Sequence, residues 1–191
     1  MRQGLAAFQV MGTYLIRTYF LALLAEAYGK VRQPEAGLHV LTEALTVVSR
    51  TGERFYEAEL YRVKGELTLQ QESQEPRAGS QEQRAKGKEQ GIRSKEQNPQ
   101  IPDSHGEAET CFHKAIEIAR TQQAKSLELR ATVSLARLWQ YQGKTEEAHQ
   151  MLSKVYSWFA EGFETKDLQE AKTLLDTLAT IAPSLLGRRS L

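Results

Sequence analysis

Apolar side chains recur at the spacing of an α-helix along almost the whole chain, and residues 71–106 are the one long exception. In the stretch 14–29, Leu21, Leu24 and Tyr28 fall on one face, because residues three or four apart are neighbours on a helix surface. No segment carries a convincing strand pattern. The periodicity therefore predicts an all-α chain.

Turn and capping signals divide this pattern into separate helices. Pro34, directly after Gln33, suits the first turn of a helix, where the missing N–H of proline has no intrahelical partner to lose. Gly52 is predicted to end that helix, Gly143 to break a later one, and Thr145 to cap the helix that follows. The predicted helices cover 14–29, 34–51, 53–70, 107–119, 126–142, 145–155 and 166–181, the last ending before Pro183.

The segment 71–106 interrupts the helices with a polar repeat of seven residues, whose copies SQEPRAG, SQEQRAK, GKEQGIR and SKEQ begin at Ser73. A coiled coil needs apolar residues at two of every seven positions, and the segment offers little beyond Ile92 and Ile101. Its six basic and six acidic side chains make it a weak ligand for nucleic-acid phosphates. We predict a disordered loop inserted between two paired helices, so that deleting 74–103 leaves helicity and melting temperature nearly unchanged.

Three successive helix pairs share an order of large and small residues. The first pair carries Leu21, Leu24, Ala25, Tyr28, Gly37, Leu41 and Ala44. The second carries Leu60, Val63, Leu67, Ala108, Phe112 and Ala115, and the third Leu135, Ala136, Trp139, Gly143, Ala148, Leu152 and Val155. This order resembles the tetratricopeptide repeat (TPR), with Lys64, Thr132 and Val155 as departures. The resemblance implies a right-handed solenoid of about three antiparallel helix pairs with a C-terminal capping helix.

The resemblance also divides the chain. Residues 1–70 would hold a half-repeat, repeat one and the first helix of repeat two; 71–106 the disordered insertion; 107–182 the second helix of repeat two, repeat three and the capping helix; and 183–191 a flexible tail. The stretches YFLALLAEAYG and EGFETKDLQEAK are similar to the C-terminal repeat tail of bacterial signalling proteins that join a P-loop ATPase, often with a nucleotide cyclase, to such repeats.

Signatures of catalysis are absent from the sequence. It has neither a GxxxxGK[ST] nor a GxGxxG loop for phosphates. The four histidines lack metal-ligand spacing: His39, His105, His113 and His149. We therefore predict a protein that is not an enzyme and uses no cofactor or metal. Core packing is predicted for both Trp139 and Trp158.

Charge and cysteine content bear on compartment and partners. The net charge of +1 gives no attraction to nucleic acid or to an acidic membrane, and no apolar run approaches the length of a membrane span. The single cysteine, Cys111, excludes an internal disulfide. These features predict a cytoplasmic protein without nucleic-acid or membrane partners.

The resemblance further implies a concave groove, lined in the TPR family by residues of the first helix of each pair. The corresponding positions are Tyr19, Glu26, Lys30, Tyr61, Arg62, Arg130, Arg137 and Tyr141. Tyrosine and arginine are frequent at binding hot spots, and the four basic groups against one acidic group favour an acidic or carboxylate-bearing partner segment. An ordinary solvated helical face is the alternative interpretation. The family's two-carboxylate clamp, which needs asparagines beside its lysines, is not matched.

Two functional hypotheses follow. The first is a non-enzymatic TPR-type scaffold that binds a protein or peptide segment in its groove. The alternative is a C-terminal regulatory fragment of a signal-transducing ATPase or adenylate cyclase-type protein, associated with the ATPase or cyclase module or with itself through an open N-terminal repeat face. A DNA-binding regulator is disfavoured, because neither a helix-turn-helix nor a basic face is visible.

Overall fold

The computed structural model describes residues 17–74 and 104–186, with side chains described up to residue 181. Every regular element in these ranges is an α-helix, so the all-α prediction is confirmed. The helices are α1 (Arg17–Lys30), α2 (Pro34–Thr51), α3 (Glu57–Gln74), α4 (Ser104–Thr121), α5 (Lys125–Tyr141), α6 (Thr145–Tyr156) and α7 (Lys166–Leu186). None of these seven helices is both long and apolar enough to span a bilayer.

The helices pack in chain order, each against the next. In addition, α1 packs on α3, α3 on α5 and α5 on α7, so these four helices form a continuous row. The helices α2, α4 and α6 each lie against the row members before and after them. Turns of three residues, at 31–33, 122–124 and 142–144, make the chain fold back on itself between successive helices.

The core runs along this row as three clusters of buried apolar side chains, formed by α1–α3, by α4–α5 and by α5–α7. Helix α3 joins two of them, because Leu60, Val63 and Leu67 enter the first cluster while Tyr61 packs against the second. Helix α5 likewise contributes to two clusters, so neighbouring clusters are joined through the helices they share.

Several predicted turn signals are confirmed. Pro34 is the first residue of α2, and Gly52 ends it with φ of 73°, donating its N–H to the Val48 carbonyl at 2.9 Å. Gly143 follows α5 with φ of 80°. Glycine suits both positions because it adopts positive φ without steric cost.

The boundaries of α3 and α4 correct two predictions. Helix α3 begins at Glu57 and not at 53, because the chain first makes a tight turn in which the Glu57 N–H bonds the Arg54 carbonyl at 3.1 Å. The predicted insertion 71–106 is too wide at both ends, since α3 continues to Gln74 and α4 starts at Ser104. The central part of the insertion, 75–103, lies outside the described residues, as does the predicted half-repeat at 1–12.

Two predictions near the C-terminus are also wrong. Thr145 is the first residue of α6 and is buried, and Lys144 occupies the capping position without a side-chain cap bond. Helix α7 continues past Pro183 to Leu186, so the predicted tail at 183–191 begins within a helix. A proline removes one N–H donor, but here the backbone on both sides of it keeps its helical conformation.

Packing details revise the repeat pattern of the second helix pair. The close helix contact falls at Gly65, where an added Cβ would lie 2.6 Å from Cε1 of Phe112. The small residue of this pair is therefore Gly65, one position after Lys64, where the repeat pattern predicts a small residue. Trp139 is half-buried between two clusters, as predicted, whereas Trp158 is 60% exposed and the core prediction for it is wrong.

Candidate functional site

A groove of about 400 Å³ runs across α1, α3 and α5 to the first turn of α7. Its apolar floor is formed by Val63, Leu67 and Val133, all three buried in the core clusters. Its walls carry charged side chains from all four helices of the row: Glu26, Lys30, Arg62, Glu66, Arg130, Arg137, Lys166, Asp167 and Glu170. The volume lies in the range of ligand-binding clefts, but the nine charged side chains make this lining more polar than is usual for them.

Arg62 lines the groove with a side chain that is only 8% exposed. Its Nη2 donates to Glu26 Oε1 at 2.6 Å and to Glu59 Oε1 at 2.6 Å, and its Nη1 donates to Glu66. Burial alone would lower the pKa of Arg62, but the surrounding carboxylates outweigh it and raise the pKa above its usual range. The positive charge of Arg62 is therefore already paired with carboxylates of the protein itself.

Arg130 extends these contacts to α5. Its Nη2 lies 2.7 Å from Glu59 Oε1 and 3.3 Å from Glu26 Oε1. Ser134, one turn further along α5, donates its hydroxyl to Glu66 Oε1 at 2.8 Å. The side chains of Glu26, Glu59, Arg62, Glu66 and Arg130, here called the ion network, thus tie α1, α3 and α5 together.

The ion network holds three carboxylates and two guanidinium groups, so it carries one excess negative charge. Among the described residues, the second oxygen of Glu59 is buried without a hydrogen-bond partner. Burial, followed by the charge of Glu59, raises the pKa of the neighbouring Tyr56 hydroxyl. The part of the groove beside the ion network therefore has an excess of negative charge.

The side chains of Arg137, Lys166 and Glu170, here called the outer wall of the groove, are more exposed to solvent than the ion network. Arg137 Nη2 lies 3.2 Å from Glu170 Oε2, and Lys166 Nζ lies 3.7 Å from Glu170 Oε1. The side chains are 53%, 87% and 40% exposed for Arg137, Lys166 and Glu170. Ion pairs this open to solvent are weak, typically below about 1 kcal/mol.

Five of the eight predicted groove residues line one site: Glu26, Lys30, Arg62, Arg130 and Arg137. Tyr19 lies beside the groove on α1, with its ring 5.0 Å from that of Tyr56. Tyr61 faces away, into the α4–α5 cluster, because adjacent helical residues point about 100° apart and Arg62 takes the groove side. Tyr141 lies at the end of α5, 78% exposed, with its ring 5.4 Å from that of His105.

The sequence-based prediction missed several groove residues, and their charges change its electrostatics. Glu66, Lys166, Asp167 and Glu170 join the lining, which then holds five basic and four acidic groups. The predicted four-to-one excess of basic groups is therefore not present in the groove. The spacing of Glu59, Arg62 and Glu66 on one helix does signal ion pairing, since residues three and four apart are neighbours. The sequence contains no comparable signal that predicts the position of α7 beside the groove.

Reactive groups are not concentrated in this site. Cys111 is buried in α4, and burial raises the pKa of its thiol, which disfavours the nucleophilic thiolate. Across residues 17–74 and 104–181, no group of three histidine, cysteine or acidic side chains is placed to hold a metal ion. The groove offers hydrogen bonds, charges and apolar surface, which is the chemistry of binding.

Comparison with known proteins adds no family to these observations. Neither a scan against protein-family models nor a search of the curated proteins finds a match for the chain. Evidence on function therefore comes from the geometry of the groove and from the order of the helices.

Proposed function

We propose that the chain is a non-enzymatic interaction scaffold of the TPR type, which binds an extended segment of a partner protein in the groove. The observation that carries the proposal is the groove itself, which crosses three successive helices of the row and reaches a fourth. The continuous row with α2, α4 and α6 beside it is the helix order expected of three stacked pairs and a capping helix.

The physical chemistry of the groove suits a peptide. Val63, Leu67 and Val133 are 1%, 2% and 5% exposed, so they offer a partner little apolar surface. The groove presents mainly hydrogen-bonding side chains around them, among them Gln70 and Ser134, which can pair with the backbone of an extended peptide. The ion network holds α1, α3 and α5 in fixed relative positions before any partner arrives. A preorganised site loses less conformational entropy on binding, so more of the contact energy appears as affinity.

A random-peptide display library panned on the purified chain tests this proposal. Lys30 and Gln70 line the groove and are exposed, so tryptophan at both positions, in the variant Gln70→Trp with Lys30→Trp, should obstruct it. The matched control, Gln150→Trp with Lys154→Trp, places the same residues on the exposed face of α6. We expect the selected peptides to bind the control as they bind the native chain and to lose at least about tenfold in affinity for the obstructed variant. Equal binding to both variants, or no enrichment of any peptide, contradicts the proposal.

The hypothesis of a regulatory fragment depends on the resemblance of the stretches 19–29 and 161–172 to the C-terminal repeat tail of bacterial signalling proteins. It stays a prediction. Its test is the size of the polypeptide in native cells, measured by immunoblot with an antibody against α7. A band several times heavier than 21.6 kDa supports the hypothesis, and a band at 21.6 kDa contradicts it.

A further inference from the structure

We infer that the groove binds an acidic residue of its partner segment at Arg137 and Lys166, and that Glu170 is a built-in competitor for that acidic residue. This inference rests on the proposed peptide-binding function and specifies which of the groove's cations are available to a ligand.

The two arginines of the ion network are unavailable. Arg62 is 8% exposed and already bonded to three carboxylates. Arg130 is 29% exposed and bridges Glu26 and Glu59. An additional anion at this position would meet a cluster that already carries one excess negative charge, so like-charge repulsion opposes its binding.

The outer wall has the opposite balance. Arg137 and Lys166 share the single carboxylate of Glu170, so these three groups carry one excess positive charge. Elsewhere in the lining, Asp167 of α7 and Lys30 of α1 add one charge of each sign. A ligand carboxylate is thus attracted to this wall and repelled by the ion network.

Glu170 occupies the place that a ligand carboxylate would take. Its two oxygens face one cation each, at 3.2 Å and 3.7 Å, which is the arrangement of a bound carboxylate held loosely. Because all three side chains are solvent-exposed, the intramolecular pairs cost little to break. A ligand carboxylate can accept two parallel hydrogen bonds from the Arg137 guanidinium and so outcompete the single long contact of Glu170.

The class of ligand follows from what lies next to this wall. Val133 is one turn before Arg137 on α5 but is only 5% exposed, and Ser134 beside it is polar. The groove therefore fits an extended peptide that presents an aspartate or glutamate to this wall and hydrogen-bonding groups beside it. A uniformly acidic peptide fits less well, because its other carboxylates would approach Glu26 and Glu66.

The test uses the tightest peptide from the library selection, labelled with fluorescein and titrated with the full chain at low salt. Glu170→Gln is expected to raise affinity about twofold to fivefold, because it removes a competitor worth up to about 1 kcal/mol. Arg137→Gln with Lys166→Gln is expected to lower affinity at least about tenfold. Arg50→Gln with Lys154→Gln makes the same change in net charge at exposed positions outside the groove lining and is expected to have no effect.

A double-mutant cycle assigns the contact. Changing the peptide's acidic residue to its amide should weaken binding to the native chain and have no further effect on the Arg137→Gln, Lys166→Gln variant. If the peptide binds in the groove, as shown by the tryptophan variants, but its acidic residue does not couple to this pair, the inference is wrong and the proposed function stands. If no groove-dependent peptide is found, both are wrong.

Discussion

Individual charged residues of the groove have two distinct roles, and burial separates them. Arg62 and Glu59 are almost fully enclosed and connect helices. Arg137 and Lys166 are open to water and form only solvent-exposed ion pairs with Glu170. The energetic cost of losing one member differs accordingly. An enclosed charge left without its partner retains its desolvation penalty, while an exposed one is simply rehydrated.

Replacing Arg62 with methionine therefore tests the structural role of the ion network. Glu26, Glu59 and Glu66 would be left facing one another with only Arg130 to offset them. We expect a loss of about 3–5 kcal/mol in the free energy of unfolding, measured by urea denaturation followed by circular dichroism. Arg137→Met is the matched control and should change stability by less than about 1 kcal/mol. Equal losses in the two variants would show that Arg62 is no more structural than Arg137.

Residue-level roles were only partly predictable from the sequence. Glu26, Lys30, Arg62, Arg130 and Arg137 lie along one groove, because helical position determines which side chains share a face. Their availability was not predictable, since it depends on the distance between α1, α3 and α5. Arg62, predicted as a ligand-binding cation, is enclosed by carboxylates from two helices.

Among the described helices, α3 and α5 each pack on four others, and the partners of α3 are α1, α2, α4 and α5. Helix α3 lies close to α4 at Gly65, whose missing side chain makes room for the ring of Phe112. That ring is fully buried, and protein interiors are close-packed, so an added methyl group at Gly65 would crowd it.

Gly65→Ala is expected to destabilise the protein by about 1–3 kcal/mol, since overpacking outweighs the helix propensity that alanine adds. The added Cβ would lie 2.6 Å from Cε1 and 2.9 Å from Cδ1 of Phe112. Urea denaturation of Gly65→Ala, Phe112→Leu and the double variant measures the coupling between the two positions. We expect the double variant to be more stable than the sum of the single changes predicts. A Gly65→Ala variant as stable as the native chain would contradict this packing argument.

All seven helices were predicted, but their ends were less accurate. Apolar periodicity reports which face is buried, and that signal persists over whole helices. Ends depend instead on local backbone hydrogen bonds, such as the turn that delays α3 to Glu57. Arg32 and Gln123 show the same limit, because they adopt positive φ in turns where no glycine indicates it.

The architecture of the whole molecule bears on the sequence segment between α3 and α4. These two helices pack along each other, and their ends meet where His105 Nε2 lies 3.4 Å from Glu72 Oε2. The end of α3 and the start of α4, which flank the segment 75–103 in the sequence, therefore lie close together.

Replacing 75–103 with Gln-Gly-Lys, the turn that joins α5 to α6, tests whether the segment contributes to stability. Gln74 stays in place because it belongs to α3. Because the cost of closing a loop grows only logarithmically with its length, this shortening should leave both the helical signal in circular dichroism and the melting temperature nearly unchanged. A large loss of helicity or of melting temperature would show that the segment stabilises the fold.

The contact between Glu26 and Arg130 has a consequence for how the molecule unfolds. Stacked helical arrays commonly behave as one-dimensional chains, in which each unit is coupled only to its nearest neighbours and the ends fray independently. Here α1 is linked to α5 directly, over α3, by the 3.3 Å contact between these two side chains. Loosening α1 therefore also removes support from α5, so amide protons of the two helices should exchange in one cooperative event and not in separate local openings.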